Sequence, residues 1–442
     1  MAYFLFILVN AALFIRPAEI VPAWQAWEVY FYLIVTCFAV ALPDVLRYFT
    51  AQSLDTQPIT LCVFGLLVAI FASSAVNTDA AETWRTSFFF AKVIVYYILF
   101  VSLVTTAARL QTLLICMLAF CGCVTILAVL RFHDLIHLET IKPLLDVRDG
   151  QYGDTITVKR LQGTGIFHDP NELCVLLAAM IPLSLYFLVW SKNLLVRGMC
   201  LASVPLFGYA VMLTGSRGGF LAFVGGLGAL AWTRFGWKKT ALLSAIGLPV
   251  LFILFAGRQT ELSTGTNTAS TRVGLWREWL TVFKENPAFG TGMTLRPEED
   301  PQTKRPDLGK KHLAHNSYIQ SFADLGFIGG CLFVGAFMLA GWSVYRFNAK
   351  DSLIQQHELK DVQPFLLASL AAYGLGMASL SICYMIPTYL MLALTVAYTR
   401  MAQRSALSAP APLRFDLPQV GRIGAAGVFT LFSIYVFVRF LA

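Results

Sequence analysis

Residues 58–76 read PITLCVFGLLVAIFASSAV, an apolar run with no formally charged side chain. A helix of about 20 residues, rising about 1.5 Å per residue, is what crosses a hydrocarbon core about 30 Å thick. The pattern recurs along the chain, near 2–15 (reaching toward 21), 26–43, 86–105, 110–130, 171–190, 198–214, 218–233, 240–256, 318–345, 362–382, 384–399 and 423–441. Only 13% of the 442 residues are charged and 57% are hydrophobic, whereas a soluble domain carries about a quarter charged residues. The expectation is an all-α polytopic transmembrane helical bundle of about 12–13 spans, folded as one integral membrane domain over 1–442. Two extramembrane elaborations, 131–170 and 257–317, interrupt it. The first run, Ala2 to Ile15, lacks a basic n-region and a small-residue cleavage site before Arg16-Pro17. It reads as a retained span.

The nine cysteines sit in or at the ends of apolar runs. They form neither a disulfide framework nor a CxxC metal site and read as small packing residues.

Orientation comes from the short connections. With a cytoplasmic N-terminus, the inner ones hold Arg47, Arg109, Lys192 with Arg197, Arg234 with Lys238 and Lys239, and Arg346 with Lys350 and Lys360. Short outer ones, such as 77–82, hold almost no positive charge. The two long outer loops break this pattern with Arg131, Lys142, Arg148, Lys159 and Arg160, then Arg258, Arg272, Arg277 and several lysines. Long loops translocate regardless of charge, so these cations do not set topology. They suit anionic headgroups or an anionic substrate arriving from the outer membrane face.

Four segments carry candidate chemistry. Lys159 to Glu172 contains Arg160, then Asp169-Pro170-Asn171, which reads as a helix start with Asp169 as N-cap and Pro170 at the first helical position. That helix would turn its positive end outward beside Arg160, a seat for an anion; plain capping is the alternative. Gly215-Ser216-Arg217-Gly218-Gly219 reads as a tight outer turn. Arg217 there opens an apolar helix, where a cation is unfavourable and calls for compensation by a phosphate, by Glu172, or by snorkelling. Ser270 to Lys284 reads as a short helix capped by Ser270, with Arg272 in its first turn. Its apolar stripe of Val273, Trp276, Leu280 and Phe283 suits the membrane surface. The charged stretch 297–312 that follows reads as a mobile lid. Last, His315-Asn316-Ser317 opens a span with Asp324, Gly326 and Gly329 below it. A boundary histidine can act as general base, and Asp324 inside an apolar run needs a partner, expected to be an arginine.

The pairs His133/His137 and His312/His315 have helix spacing for a metal, but no cysteine or carboxylate completes either set, so no metal and no cofactor is expected. The chain also lacks a phosphate-binding P-loop and a nucleophile elbow. Nothing points to nucleic acid.

In this order, Arg160 to Asn171, the Ser216-Arg217-Gly218-Gly219 turn, Arg272 with Trp276 and Pro287, and His315-Asn316-Ser317 with Gly326 and Gly329 resemble the bacterial O-antigen ligase and O-antigen polymerase superfamily, GT-C type membrane glycosyltransferases. The resemblance spans roughly 160–400. It implies transfer of a glycan from undecaprenyl diphosphate to an acceptor hydroxyl on the periplasmic side of the bacterial inner membrane. The acceptor is lipid A-core in ligases, another lipid-linked repeat unit in polymerases, and a protein in related members. Arg217 and Arg272 match the family's diphosphate-binding arginines, Arg160 is a third candidate, and His315 matches its candidate base. Asn316, Asp169, Asn171 and Asp324 would support them. The thirteenth span and the lysine-rich stretch before His315 depart from the family pattern. A transporter of an inorganic anion such as bicarbonate is the reading from a different class.

Overall fold

The computed structural model describes residues 1–441 except 22–23, 25–26, 51–53, 139–141, 150–154, 165–166, 262–267, 294–312 and 349–353. The expected lid at 297–312 and His312 therefore lie outside the described residues. The helices are α1 (Ala2–Ile15), α2 (Val29–Tyr48), α3 (Pro58–Asn77), α4 (Ala80–Leu103) and α5 (Ala107–Phe132). A hairpin of β1 (Leu144–Asp149) and β2 (Thr155–Arg160) follows. Then come α6 (Pro170–Trp190), α7 (Leu194–Thr214), α8 (Arg217–Glu261), α9 (Thr268–Glu285), α10 (Ser317–Tyr345), α11 (His357–Met377), α12 (Ile386–Ser405) and α13 (Leu417–Leu441). Eight of them are long and apolar enough to cross a membrane: α2 to α7, α10 with the turn after it, and α13. The protein is a polytopic helical bundle.

Helices start where a short polar side chain can accept a free first-turn N–H. Asp79 accepts from Glu82 N at 2.7 Å and Asn193 from Leu195 N at 2.9 Å. The core lies around α6, which packs on α7, α8 and α11. Within its most apolar window 78% of α6 is buried, against 17% for α13, so α6 is the central pillar and α13 a peripheral strut. Gly219 and Gly226 of α8 let its backbone approach α6 and α11, for a Cβ would collide with Cys174 at the first and with Ala372 at the second. This is the close helix packing that small residues permit in a membrane. All nine cysteines are free thiols.

The structure departs from the sequence reading in several places. The 131–170 loop holds an antiparallel hairpin, with Leu144 opposite Arg160 and Asp149 opposite Thr155. Its alternation of β-branched and polar residues (Thr155-Ile156-Thr157-Val158) is the strand signal. The runs 218–233 and 240–256 are, as expected, two helical segments, and they meet at a kink at Gly236 (φ 76°, ψ 168°). The run 318–345, however, is interrupted at Gly326 (φ 69°, ψ −170°). Helix α11 stops at Met377, so residues 378–385 are a turn and not the end of a span. Helix α9 already runs from Thr268, which puts Ser270 inside it instead of at its cap.

The break at Gly326 strips helix partners from buried backbone groups, and the segment after α9 replaces them. Phe327 N donates to Pro287 O at 2.7 Å. Thr291 N and Gly292 N donate at 3.0 Å to the carbonyls of Ala323 and Asp324. Ser73 of α3 donates to the Asp324 carbonyl at 2.6 Å and accepts from Gly292 N at 3.0 Å. Discontinuous membrane helices survive only where protein groups satisfy the freed backbone in this way. The apolar stripe of α9 also faces protein: Trp279, Leu280 and the half-buried Val273 and Trp276 pack on Ala314, Ile319 and Ala323 before and within α10, and on Val438 of α13. Burial against two helices, and not exposure at a membrane surface, accounts for the stripe.

Candidate functional site

Four chain segments separated by up to hundreds of residues meet at one end of the bundle. Strand β2 ends at Arg160, whose Nε donates to Thr214 O at the end of α7 at 2.8 Å. Leu161 N donates to Leu213 O at 3.0 Å, fixing the same junction. Arg160 Nη2 donates to Asn171 Oδ1 at 2.9 Å, and its Nη1 lies 3.7 Å from Asp146 on β1. Arg160 thus clamps the hairpin, the α7 end and the α6 start together. Asp169 caps α6 as its position before Pro170 predicts, with Oδ1 accepting from Asn171 N at 2.6 Å and from Asn171 Nδ2 at 2.9 Å. Asn171 is therefore shared between the cap and the arginine.

Arg217 opens α8 two residues after Gly215, which takes a left-handed turn (φ 61°). Ser216 Oγ accepts from Gly219 N at 3.1 Å and caps the helix. The Arg217 side chain itself is exposed. Arg272, half-buried in the first turns of α9, comes to the same place. Burial holds its guanidinium below the usual arginine range; Asp169 opposes that shift, and the nearby cations of Arg160 and Arg217 reinforce it. Arg272 is thus an electrostatic neighbour of both Arg160 and Arg217, with Asp169 as its acidic counterpart.

His315 enters from α10. Its backbone has φ 48°, uncommon for a residue with a Cβ, and its N–H donates to Ser381 Oγ at 2.9 Å. Asn316 caps α10, accepting from Tyr318 N at 3.0 Å and Ile319 N at 3.2 Å. Ser317 Oγ donates to Leu380 O at 2.6 Å and accepts from Ile382 N at 2.9 Å. The same 378–385 turn reaches Arg217's helix, because Gly218 lies flat against Ser379, where a Cβ would overlap the hydroxyl. Two positions of one turn thus tie the His315 backbone to the start of α8. Asp324, fully buried, accepts from Tyr384 Oη at 3.0 Å. That partner is a hydroxyl of the same turn, a residue that the sequence reading, which looked to an arginine, did not name.

His133 and His137 do not share a helix face, and the His312/His315 pair lies partly outside the described residues. Helix α5 ends at Phe132, and His133 turns to Tyr209 Oη at 2.8 Å. Asp134 then leaves the helix with φ 57°, separating His137 from it. Sequence reasoning missed Ser379, Ser381 and Tyr384. The signal was present: two hydroxyls interrupt the apolar run before Pro387, and a proline in the first turn of a helix marks its start.

Comparison with known families now bears on this geometry. Residues 201–334 match a family model described as O-antigen ligase. Over this segment the chain is similar to the O-antigen ligase family, which supports the superfamily resemblance. The matched segment holds Arg217, Arg272, His315, Asn316 and Asp324, while Arg160, Asp169 and Asn171 lie before it. A search of curated proteins finds no matching relative. The apolar helices make this a multi-pass membrane protein, and the match over 201–334 supports glycan transfer of the ligase type.

Proposed function

We propose that the protein transfers a glycan from an undecaprenyl-diphosphate carrier to an acceptor hydroxyl on the periplasmic side of the inner membrane, with lipid A-core as acceptor. The observation that carries this reading is the electrostatic proximity of Arg272 to Arg217 and Arg160, with the turn that anchors the His315 backbone packed against Gly218 beside Arg217. Arg217 is exposed and Arg272 half-buried, so these two meet the diphosphate; Arg160 keeps its hydrogen bonds, holds the elements in register and adds its field. Charge grows on the diphosphate as the glycosidic bond breaks, and fixed guanidinium groups stabilise that charge without reorganising. His315 takes the proton from the acceptor hydroxyl as its oxygen attacks the anomeric carbon. A single displacement of this kind inverts the anomeric configuration, and the guanidinium cations fill the role a metal plays in other sugar transfers. The uniform placement of basic residues in the short connections supports a cytoplasmic N-terminus.

The ion-transporter reading weakens on one point. Transporters that bind ions at broken helices leave backbone groups of the break for the ion. Here Phe327 N and the carbonyls of Ala323 and Asp324 are engaged by the 287–292 segment and Ser73.

The test is reconstitution of the purified protein with a lipid-diphosphate-linked glycan and lipid A-core. Formation of a glycosylated core with inverted anomeric configuration, and release of the lipid diphosphate, is expected. No transfer, together with uptake of labelled bicarbonate into proteoliposomes, would overturn the reading. In a deletion strain, loss of all long chains on lipopolysaccharide marks a ligase, whereas single-repeat caps mark a polymerase.

A further inference from the structure

At the other ends of α3, α10 and α12 lies a second basic feature that glycan transfer does not use. A cavity of about 350 Å³ opens between the start of α3, the end of α10, the last turns of α12 and residues 410–413. Among the described residues three arginines line it, Arg346, Arg400 and Arg404, and no carboxylate does. Asp55, shortly before the start of α3, lies 3.9 Å from Arg414 at the surface.

The arginines are held and not fully used. Arg400 stacks on the Tyr48 ring at 4.1 Å, which fixes the guanidinium plane. Its Nη1 is buried with no hydrogen-bond partner, an expensive state for a cationic donor. Arg346 Nη2 donates to Ala411 O at 2.9 Å, which sets its direction along the cavity wall. Arg404 is exposed at the mouth. Helix α3 begins at the wall with Pro58 in its first turn and no side-chain cap, adding the positive end of its dipole.

Cations that serve only to orient a membrane protein need no shared cavity and no buried donor left open. The level of the cavity in the bundle indicates what fills it. Trp342 and Tyr345, one turn before and beside Arg346, are 50% and 44% exposed and stack at 6.2 Å, as aromatic side chains do at headgroup level. Ile59, Phe347 and Val396 complete the lining with apolar surface. We propose that this cavity binds a phosphate-bearing anion, namely the headgroup of an anionic membrane phospholipid. The phosphate oxygens receive Arg400 Nη1 and the Arg404 guanidinium, and the glycerol end lies along the apolar wall.

The inference is independent of the transfer reaction, and its test reads binding alone. Full-length protein is purified into phosphatidylcholine nanodiscs with and without phosphatidylglycerol, and retained lipid is measured by native mass spectrometry after release. Selective retention of phosphatidylglycerol is expected, reduced about tenfold or more in the R400Q/R404Q double variant, since charge-assisted hydrogen bonds are lost. Arg404→Gln alone, at an exposed position, gives a partial loss even if the double variant does not fold. Inorganic phosphate added to phosphatidylcholine discs separates the sources. A thermal midpoint raised by phosphate in wild type alone, without lipid selectivity, would replace the lipid by a soluble phosphate and overturn the headgroup assignment. Equal retention of both lipids by wild type and variants, with no phosphate effect, would overturn the site itself.

Discussion

Helices α8 and α10 are both broken at a glycine, and the two breaks do different things. Gly236 and Gly326 adopt nearly the same backbone conformation, one that side chains other than hydrogen rarely tolerate. Around Gly236 the flanking Arg234, Phe235, Trp237 and Lys238 are exposed, and a Cβ there would meet open space. Around Gly326 the chain is buried, and a Cβ would overlap the Ala288 carbonyl. The first break only redirects a helix where solvent or headgroups can serve its backbone. The second is a slot that receives the 287–292 segment and thereby ties α9, which carries Arg272, to α10, which follows His315. A local conformation alone does not reveal whether a break is a bend or a joint.

The largest expected effect separates these two roles. Gly326→Ala meets both an unfavourable conformation and a carbonyl, and should destabilise the protein by about 4 kcal/mol, read as a lowered thermal midpoint in detergent. Equal midpoints for Gly326→Ala and Gly236→Ala would remove the distinction. Next, if the joint exists to place Arg272 beside Arg217, removing either cation should damage chemistry and spare folding. Arg217→Ala and Arg272→Ala should each lower glycan transfer about a hundredfold, near 3 kcal/mol in the barrier, at wild-type expression. Full transfer by both single variants would dissolve the assigned donor site. Gly236→Ala should cost about 2 kcal/mol from backbone strain alone, with transfer per folded molecule unchanged. Asn316→Ala, which removes the cap of α10, should cost about 1 kcal/mol, seen as a small midpoint shift. Smallest of all, His133→Ala should leave transfer at its wild-type rate, because that ring is occupied with Tyr209.

The cap at Asp169-Pro170 was legible because capping is a local matter of three or four residues. The sequence also marked Arg217 and Arg272 as cations out of place against a helix dipole, and Arg272 lies within electrostatic reach of Arg217 and Arg160. The fate of Asp324 was not legible. A buried carboxylate needs some partner, but sequence does not say that a tyrosine hydroxyl sixty positions away will supply it. Nor was the job of Arg160, since its acceptors, the Thr214 carbonyl and Asn171, come together only when the hairpin lies across two helix ends.

Composition and run length alone determined that this chain is a membrane-embedded helical bundle, because transfer of an apolar run into hydrocarbon depends on that run and not on its neighbours. Which arginines share a pocket, which glycine break is a joint, and which turn holds the histidine were decided by tertiary structure. Those features depend on backbone groups and side chains meeting across helices, and a buried polar group accepts whichever partner the packing brings within about 3 Å.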